Sequence, residues 1–66
     1  MMNDEHFIYP GNAYKKKDGD FVVVIHCLSA SAIWVRNKTK NRDEHHNPSV
    51  IRQMYFIGSN YKDDFE

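Results

Sequence analysis

Residues 21–28, Phe-Val-Val-Val-Ile-His-Cys-Leu, form the longest apolar run in a chain of 66 residues. Four consecutive β-branched side chains restrict χ1 and favour a strand over a helix. A period of two sends Phe21, Val23, Ile25 and Cys27 to one side and Val22, Val24, His26 and Leu28 to the other. A strand apolar on both sides needs neighbours along both edges and cover on both faces, so it belongs at the centre of the fold. A chain this short supplies one small core. We therefore expect a single domain over residues 1–66, with 1–6 and 62–66 as frayed tails.

The flanking segments supply the neighbours. Asp18-Gly19 is a strong two-residue turn signal, because a type I′ turn needs positive φ that glycine accepts without a steric cost. It joins residues 13–17 to the central strand as a hairpin. Ser29-Ala30-Ser31 marks the next turn, and Ala32-Ile33-Trp34-Val35-Arg36 resumes the strand pattern. Residues 37–47, NKTKNRDEHHN, contain no apolar side chain and read as a solvent-exposed loop. Asn47 is placed to cap a helix and Pro48 to open it. One helical or 3₁₀ turn then runs into a short strand at Met54-Tyr55-Phe56-Ile57, ended by Gly58. Upstream, Phe7-Ile8-Tyr9 supplies an edge segment closed by a Pro10-Gly11 turn, and Tyr61 and Phe65 can fold back. The predicted class is all-β: a small SH3-like barrel or a strongly bent antiparallel sheet of four to five strands with one short helical turn.

Composition narrows the function classes. A hydrophobic fraction of 41% with 27% charged residues is that of a folded protein and not of a disordered tail. The lone Cys27 gives no internal disulfide, which fits a reducing cytoplasm. Acids near the start and the lack of a long apolar stretch argue against export and membrane insertion. Nine Lys+Arg balance nine Asp+Glu, yet residues 11–43 carry +4 while residues 1–10 and 44–66 carry −2 each. Such a distribution can create an anion-attracting face on a neutral molecule.

Taken in order, Pro10-Gly11, Tyr14, Asp18-Gly19, Val22-Val23-Val24, Trp34-Val35-Arg36 and Met54-Tyr55-Phe56 resemble a family of short uncharacterised proteins encoded beside excisionase genes in lambdoid phages and prophages. The likeness covers residues 9–57, and residues 37–47 depart from the family pattern by length and histidine content. The resemblance implies an SH3-like phage or prophage accessory protein, and it carries no catalytic residues across.

The residues themselves offer little chemistry. His26, Cys27, His45 and His46 are zinc-ligand types, but neighbours on a regular strand point to opposite faces, so at most three converge. Cys27 reads as a small buried hydrophobe and the histidines as surface residues. Asp18, Asp20, Asp43, Glu44, Asp63 and Asp64 fall in turns, a loop and a tail, where nothing raises a carboxyl pKa for acid–base work. No phosphate-binding or nucleophile motif occurs, so neither an enzyme nor a cofactor or metal is expected.

Binding remains. Tyr9, Tyr14, Trp34 and Tyr55 are the candidate anchors for a host or phage protein, or for a second copy pairing through an edge strand. Single-stranded nucleic acid is the alternative, with Trp34, Tyr14 and Tyr55 stacking bases and Lys15, Lys17, Arg36, Lys38, Lys40 and Arg42 following phosphates. A pI of 6.9 is low for a dedicated nucleic-acid binder.

Overall fold

The computed structural model describes residues 8–61. Five strands, β1 (Ala13–Lys15), β2 (Phe21–Ser29), β3 (Ala32–Asn37), β4 (Arg42–His46) and β5 (Tyr55–Gly58), form one antiparallel sheet in the order β4-β3-β2-β1-β5. A single short helix, α1 (Pro48–Arg52), precedes β5. The class is all-β and β2 is central. Val22, Val23 and Val24 are fully buried, so both faces of this strand are covered where β1 and β3 flank it.

One face carries the main core. Tyr14, Val22, Val24, Ile33 and Val35 project to it, and Ile51 of α1 is buried among them, with Ile8 and Met54 packed at the margin. The helix is held as its sequence dictates. Asn47 Oδ1 accepts from the Ser49 N–H at 3.0 Å, Pro48 opens the first turn, and Ile51 is its buried residue. On the opposite face Val23 lies between Ala13 and Arg36, and the Tyr61 ring folds back to meet Phe21 edge-on at 5.9 Å. The Tyr61 N–H anchors this return on the Gly11 carbonyl at 2.9 Å. Phe65 and the tails expected to fray at 1–6 and 62–66 lie outside the described residues, save that Tyr61 is seen to return.

The structure is an open sheet and not a closed barrel: β4 and β5 stand at opposite ends and do not pair. With a three-residue β1 there is no lumen to enclose, and α1 covers the core face in place of a closing strand. The stretch read as a loop at 37–47 is instead the hairpin from β3 to β4. Asn37 is fully buried, and Asn41 turns the chain at φ 55°. Charged residues can form a strand here because β4 is an edge whose outward side chains stay wet while the inward Glu44 finds polar partners. Ile8 and Tyr9 form no strand; Phe7 lies outside the described residues. Their Pro10-Gly11 turn is present, with Pro10 and Gly11 (φ 97°) central and the Asn12 N–H bonded to Tyr9 O at 3.0 Å.

Two further expectations change in geometry. The β1–β2 connection is not a two-residue type I′ turn. The Gly19 N–H bonds to Lys16 O at 2.9 Å, so Lys17 and Asp18 are the central residues, and Gly19 follows at φ 99° as a bulge. Asp18 contributes by accepting the Asp20 N–H at 3.0 Å. Cys27 is exposed, not buried: β1 spans only the first part of β2, and among the described residues the end beyond Val24 pairs with β3 alone, with Cys27 Sγ donating to Ile8 O at 3.1 Å. Register shifts between Val24 and His26 and between Cys27 and Ser29 bend that overhanging end.

Gly19 sits in open space, so only its backbone conformation resists a side chain. Gly19→Ala is expected to lower the unfolding free energy by about 1 kcal/mol, measured by urea denaturation. An unchanged midpoint would mean the turn relaxes to another form.

Candidate functional site

Residues 37–47, read from sequence as a solvent-exposed loop, supply most of a polar cluster along the edge of the core. Glu44 pairs in register with Val35 and so faces inward. Its side chain is only 12% exposed, and its carboxylate collects four donors. Oε1 takes Lys16 Nζ at 3.2 Å and His46 Nε2 at 2.9 Å; Oε2 takes Arg42 Nε at 3.1 Å and Asn37 Nδ2 at 3.2 Å. The buried Asn37 amide also donates to Asp20 Oδ2 at 2.9 Å, while its carbonyl accepts the Lys40 N–H at 2.9 Å. Lys40 Nζ closes the group at 3.1 Å from Asp20. Burial acts to raise the Glu44 pKa, but His46, Lys16, Arg42 and Asn37 together push it down to about 2. Asp20 is likewise held below its ordinary value, chiefly by Asn37. Depressed carboxylates saturated with donors make a structural clasp between β4, β3 and the β1–β2 loop, not an acid–base pair.

The face opposite α1 carries a second arrangement. Register places His26, Trp34 and His45 in one cross-strand row, with Arg36 and Asp43 in the next. Trp34 stacks on His45 with centroids 6.3 Å apart and planes 23° from parallel. Arg36 Nε reaches Asp43 Oδ1 at 2.8 Å, which with the neighbouring Trp34 indole lowers the Asp43 pKa. Trp34 Nε1 is buried and completes no hydrogen bond of ordinary geometry. Cys27 and His46 flank Ile33 on the other face, so the four zinc-type residues split two and two between faces. Among the described residues no group of three or more His, Cys, Asp or Glu is arranged to hold a metal ion.

The candidate anchors separate just as clearly. Tyr14 is fully buried: its ring lies 5.4 Å from Phe56, its hydroxyl accepts from Asn12 Nδ2 at 3.3 Å, and burial pushes its pKa up. It offers no surface to a partner. Trp34 is half-buried, while Tyr9 and Tyr55 are exposed at 59% and 74%. Of the candidate phosphate contacts, Arg36, Lys40 and Arg42 are engaged with Asp43, Asp20 and Glu44. Lys15, Lys17 and Lys38 are exposed.

The two sheet edges differ sharply. β4 presents Arg-Asp-Glu-His-His, which blunts any strand seeking to pair with it. β5 presents Tyr55, Phe56 and Ile57, all exposed, with Phe56 on the core face beside Tyr14 and Tyr55 on the other, in register with Lys15. Phe56 and Ile57 were legible as a strand, though nothing local marked that strand as an edge. Beside the start of β5, on the core face, lies an open groove of about 220 Å³ lined by Lys16, Lys17, Val50, Gln53 and Met54.

No family model matches the chain, and neither curated proteins nor solved structures gave a match. Among the described residues no helix is long and apolar enough to cross a membrane.

A carboxyl whose folded pKa is depressed contributes stability that is complete above its unfolded pKa and is lost as pH falls through the folded one. For Glu44 that window runs from the ordinary 4.5 down to about 2. Thermal stability of the parent chain should therefore fall as the pH drops through this range. Glu44→Gln should be less stable at neutral pH and show a flatter profile, read from melting temperatures. Equal slopes for the two proteins would remove Glu44 as the centre of the clasp.

Proposed function

We propose that this chain is a non-enzymatic binding protein that receives a partner by strand addition along β5. One observation carries the reading: the edge formed by β4 is guarded by five consecutive polar or charged residues, whereas the edge formed by β5 bares Tyr55, Phe56 and Ile57. Single exposed apolar residues are ordinary, but a run of them on a strand that ends a sheet is an aggregation hazard unless something covers it. Main-chain groups of an edge strand supply affinity for an extended segment, and the flanking side chains supply choice. The absence of a built acid–base pair within the clasp, whose carboxylates are already saturated, supports binding over catalysis. In keeping with the family resemblance, we assign the chain to the accessory proteins of phages or prophages, working in the host cytoplasm on a host or phage protein. Tyr55 and the surface around it are the anchors, with Tyr9 outside the strand; a second copy pairing edge to edge is the competing occupant.

A photo-crosslinking side chain at position 57, in the chain expressed in a bacterial host, should give a discrete adduct that is absent when the same group sits at position 45 on β4. Adducts of equal yield from both positions would sink the edge reading.

Single-stranded nucleic acid is the second reading, favoured by the Trp34–His45 stack on the face that α1 leaves uncovered. It ranks lower because Arg36, Lys40 and Arg42 are committed to carboxylates. Trp34 is the only tryptophan, so its emission reports directly on that face. An oligothymidylate added at low salt is expected to leave the emission unchanged. Quenching that fades as salt rises would reverse the ranking.

A further inference from the structure

The groove on the core face brings cationic, amide and apolar side chains into one residue-sized space. Its volume is about 220 Å³, with Lys16 and Lys17 of the β1–β2 connection on one side and Val50, Gln53 and Met54 on the other. Gln53 and Met54 follow α1, where their N–H groups bond to Val50 O at 3.2 Å and Ile51 O at 3.0 Å. Ile51 points into the core from this turn, while its neighbour Val50 stands 41% exposed and Met54 packs at the core margin. None of the five lining residues is acidic. The two lysines differ in what they already do. Lys16 is held by Glu44 at 3.2 Å and belongs to the clasp. Lys17 is exposed and pairs with no acid among the described residues. Its neighbour Asp18 turns an oxygen to the Asp20 N–H at 3.0 Å, and Arg52 adds a further positive charge to the last turn of α1.

From this arrangement we infer that the groove receives the C-terminal residue of a polypeptide partner, one with an apolar side chain and a free carboxylate. Charge complementarity and size carry the inference together. The space is smaller than the pockets that enclose a drug-sized molecule, and it admits one side chain. The charge that meets Lys17 and the apolar group that covers Val50 and Met54 must therefore belong to the same residue. An internal glutamate brings the charge without the apolar surface, and an internal leucine the reverse. A free amino acid adds an ammonium beside the lysines. An apolar chain end brings the carboxylate and the apolar group alone. Gln53 matches what is left, since its amide both donates and accepts and so suits the peptide group preceding the terminal residue. The inference stands apart from the edge reading, because it uses no residue of β5.

The test titrates the isotopically labelled whole chain with N-acetylated Gly-Ser-Gly-Leu, ending either in the free carboxylate or in a carboxamide, and follows backbone amide shifts by NMR. The acid should give saturable shifts centred on Lys16, Lys17, Val50, Gln53 and Met54. The carboxamide should bind roughly fivefold more weakly, the span of one exposed ion pair. Lys17→Gln should weaken the acid to the level of the carboxamide, whereas Val50→Ser should weaken both. Isocaproate, which keeps the carboxylate and the leucine methyls but lacks the peptide group, should bind more weakly than the peptide. Equal binding of isocaproate and the peptide overturns the polypeptide partner. The comparison of acid with carboxamide needs no variant, so it decides the matter even where a substitution unsettles the fold. Equal affinity of those two, shifts centred away from the groove, or no shift at millimolar peptide overturns the inference. Movement of the same amides without peptide, on concentrating the chain or on Phe65→Ser, gives the groove to a second copy or to this chain's own tail and overturns it as well.

Discussion

Three consecutive valines with no solvent exposure at the centre of the sheet dictate what surrounds them. Consecutive strand residues point to opposite faces, so burying all three requires material on both, and a chain of this length has little to give. One face is closed by α1, which contributes Ile51 to a cluster with Tyr14, Val22, Val24, Ile33 and Val35. The other is closed more thinly, by the stem of Arg36, by Ala13 and by the Tyr61 return against Phe21. The cover runs out with β1. Beyond Val24, β2 pairs among the described residues with β3 alone, bends at two irregularities and leaves His26, Cys27 and Leu28 exposed.

Where apolar material is lacking, the polar clasp closes the core instead. Asn37 is fully buried yet polar, and it is tolerable there because its amide serves two carboxylates and its carbonyl serves a backbone N–H. Glu44 ties β4, through Arg42 and His46, to Lys16 of the β1–β2 loop. A strand with no apolar residue is thereby fixed to the sheet, and in this position its charges protect an edge that would otherwise be open. The far edge, Tyr55–Gly58, carries no charged residue of its own. This asymmetry between the two edges is what supports the proposal that a partner pairs along β5.

The central strand, the Pro10-Gly11 turn, the Asn47 cap with Pro48 behind it and the strand after α1 were all legible in the sequence. Each depends on backbone preference within a few residues: restricted χ1, positive φ at glycine, a side-chain acceptor for an orphan N–H. Strand β4 was not legible, since it carries no hydrophobic alternation and its pairing is set by contacts such as Arg36 with Asp43 across the hairpin. Tyr14 shows the complementary failure. Its residue type suits an anchor equally well, and only its place opposite Val22 and Phe56 makes it core.

By itself, then, the sequence determined an all-β chain organised around residues 21–28, one short helix after Asn47, and the lack of any local motif for catalysis. Tertiary structure decided that the sheet stays open, that Asn37 and Glu44 turn inward, and that Tyr55, Phe56 and Ile57 form an edge. The division has a physical cause. Local preferences act through neighbours along the chain, whereas which strand ends a sheet depends on pairings between distant segments, and those follow from the order in which all five strands compete for the same small core.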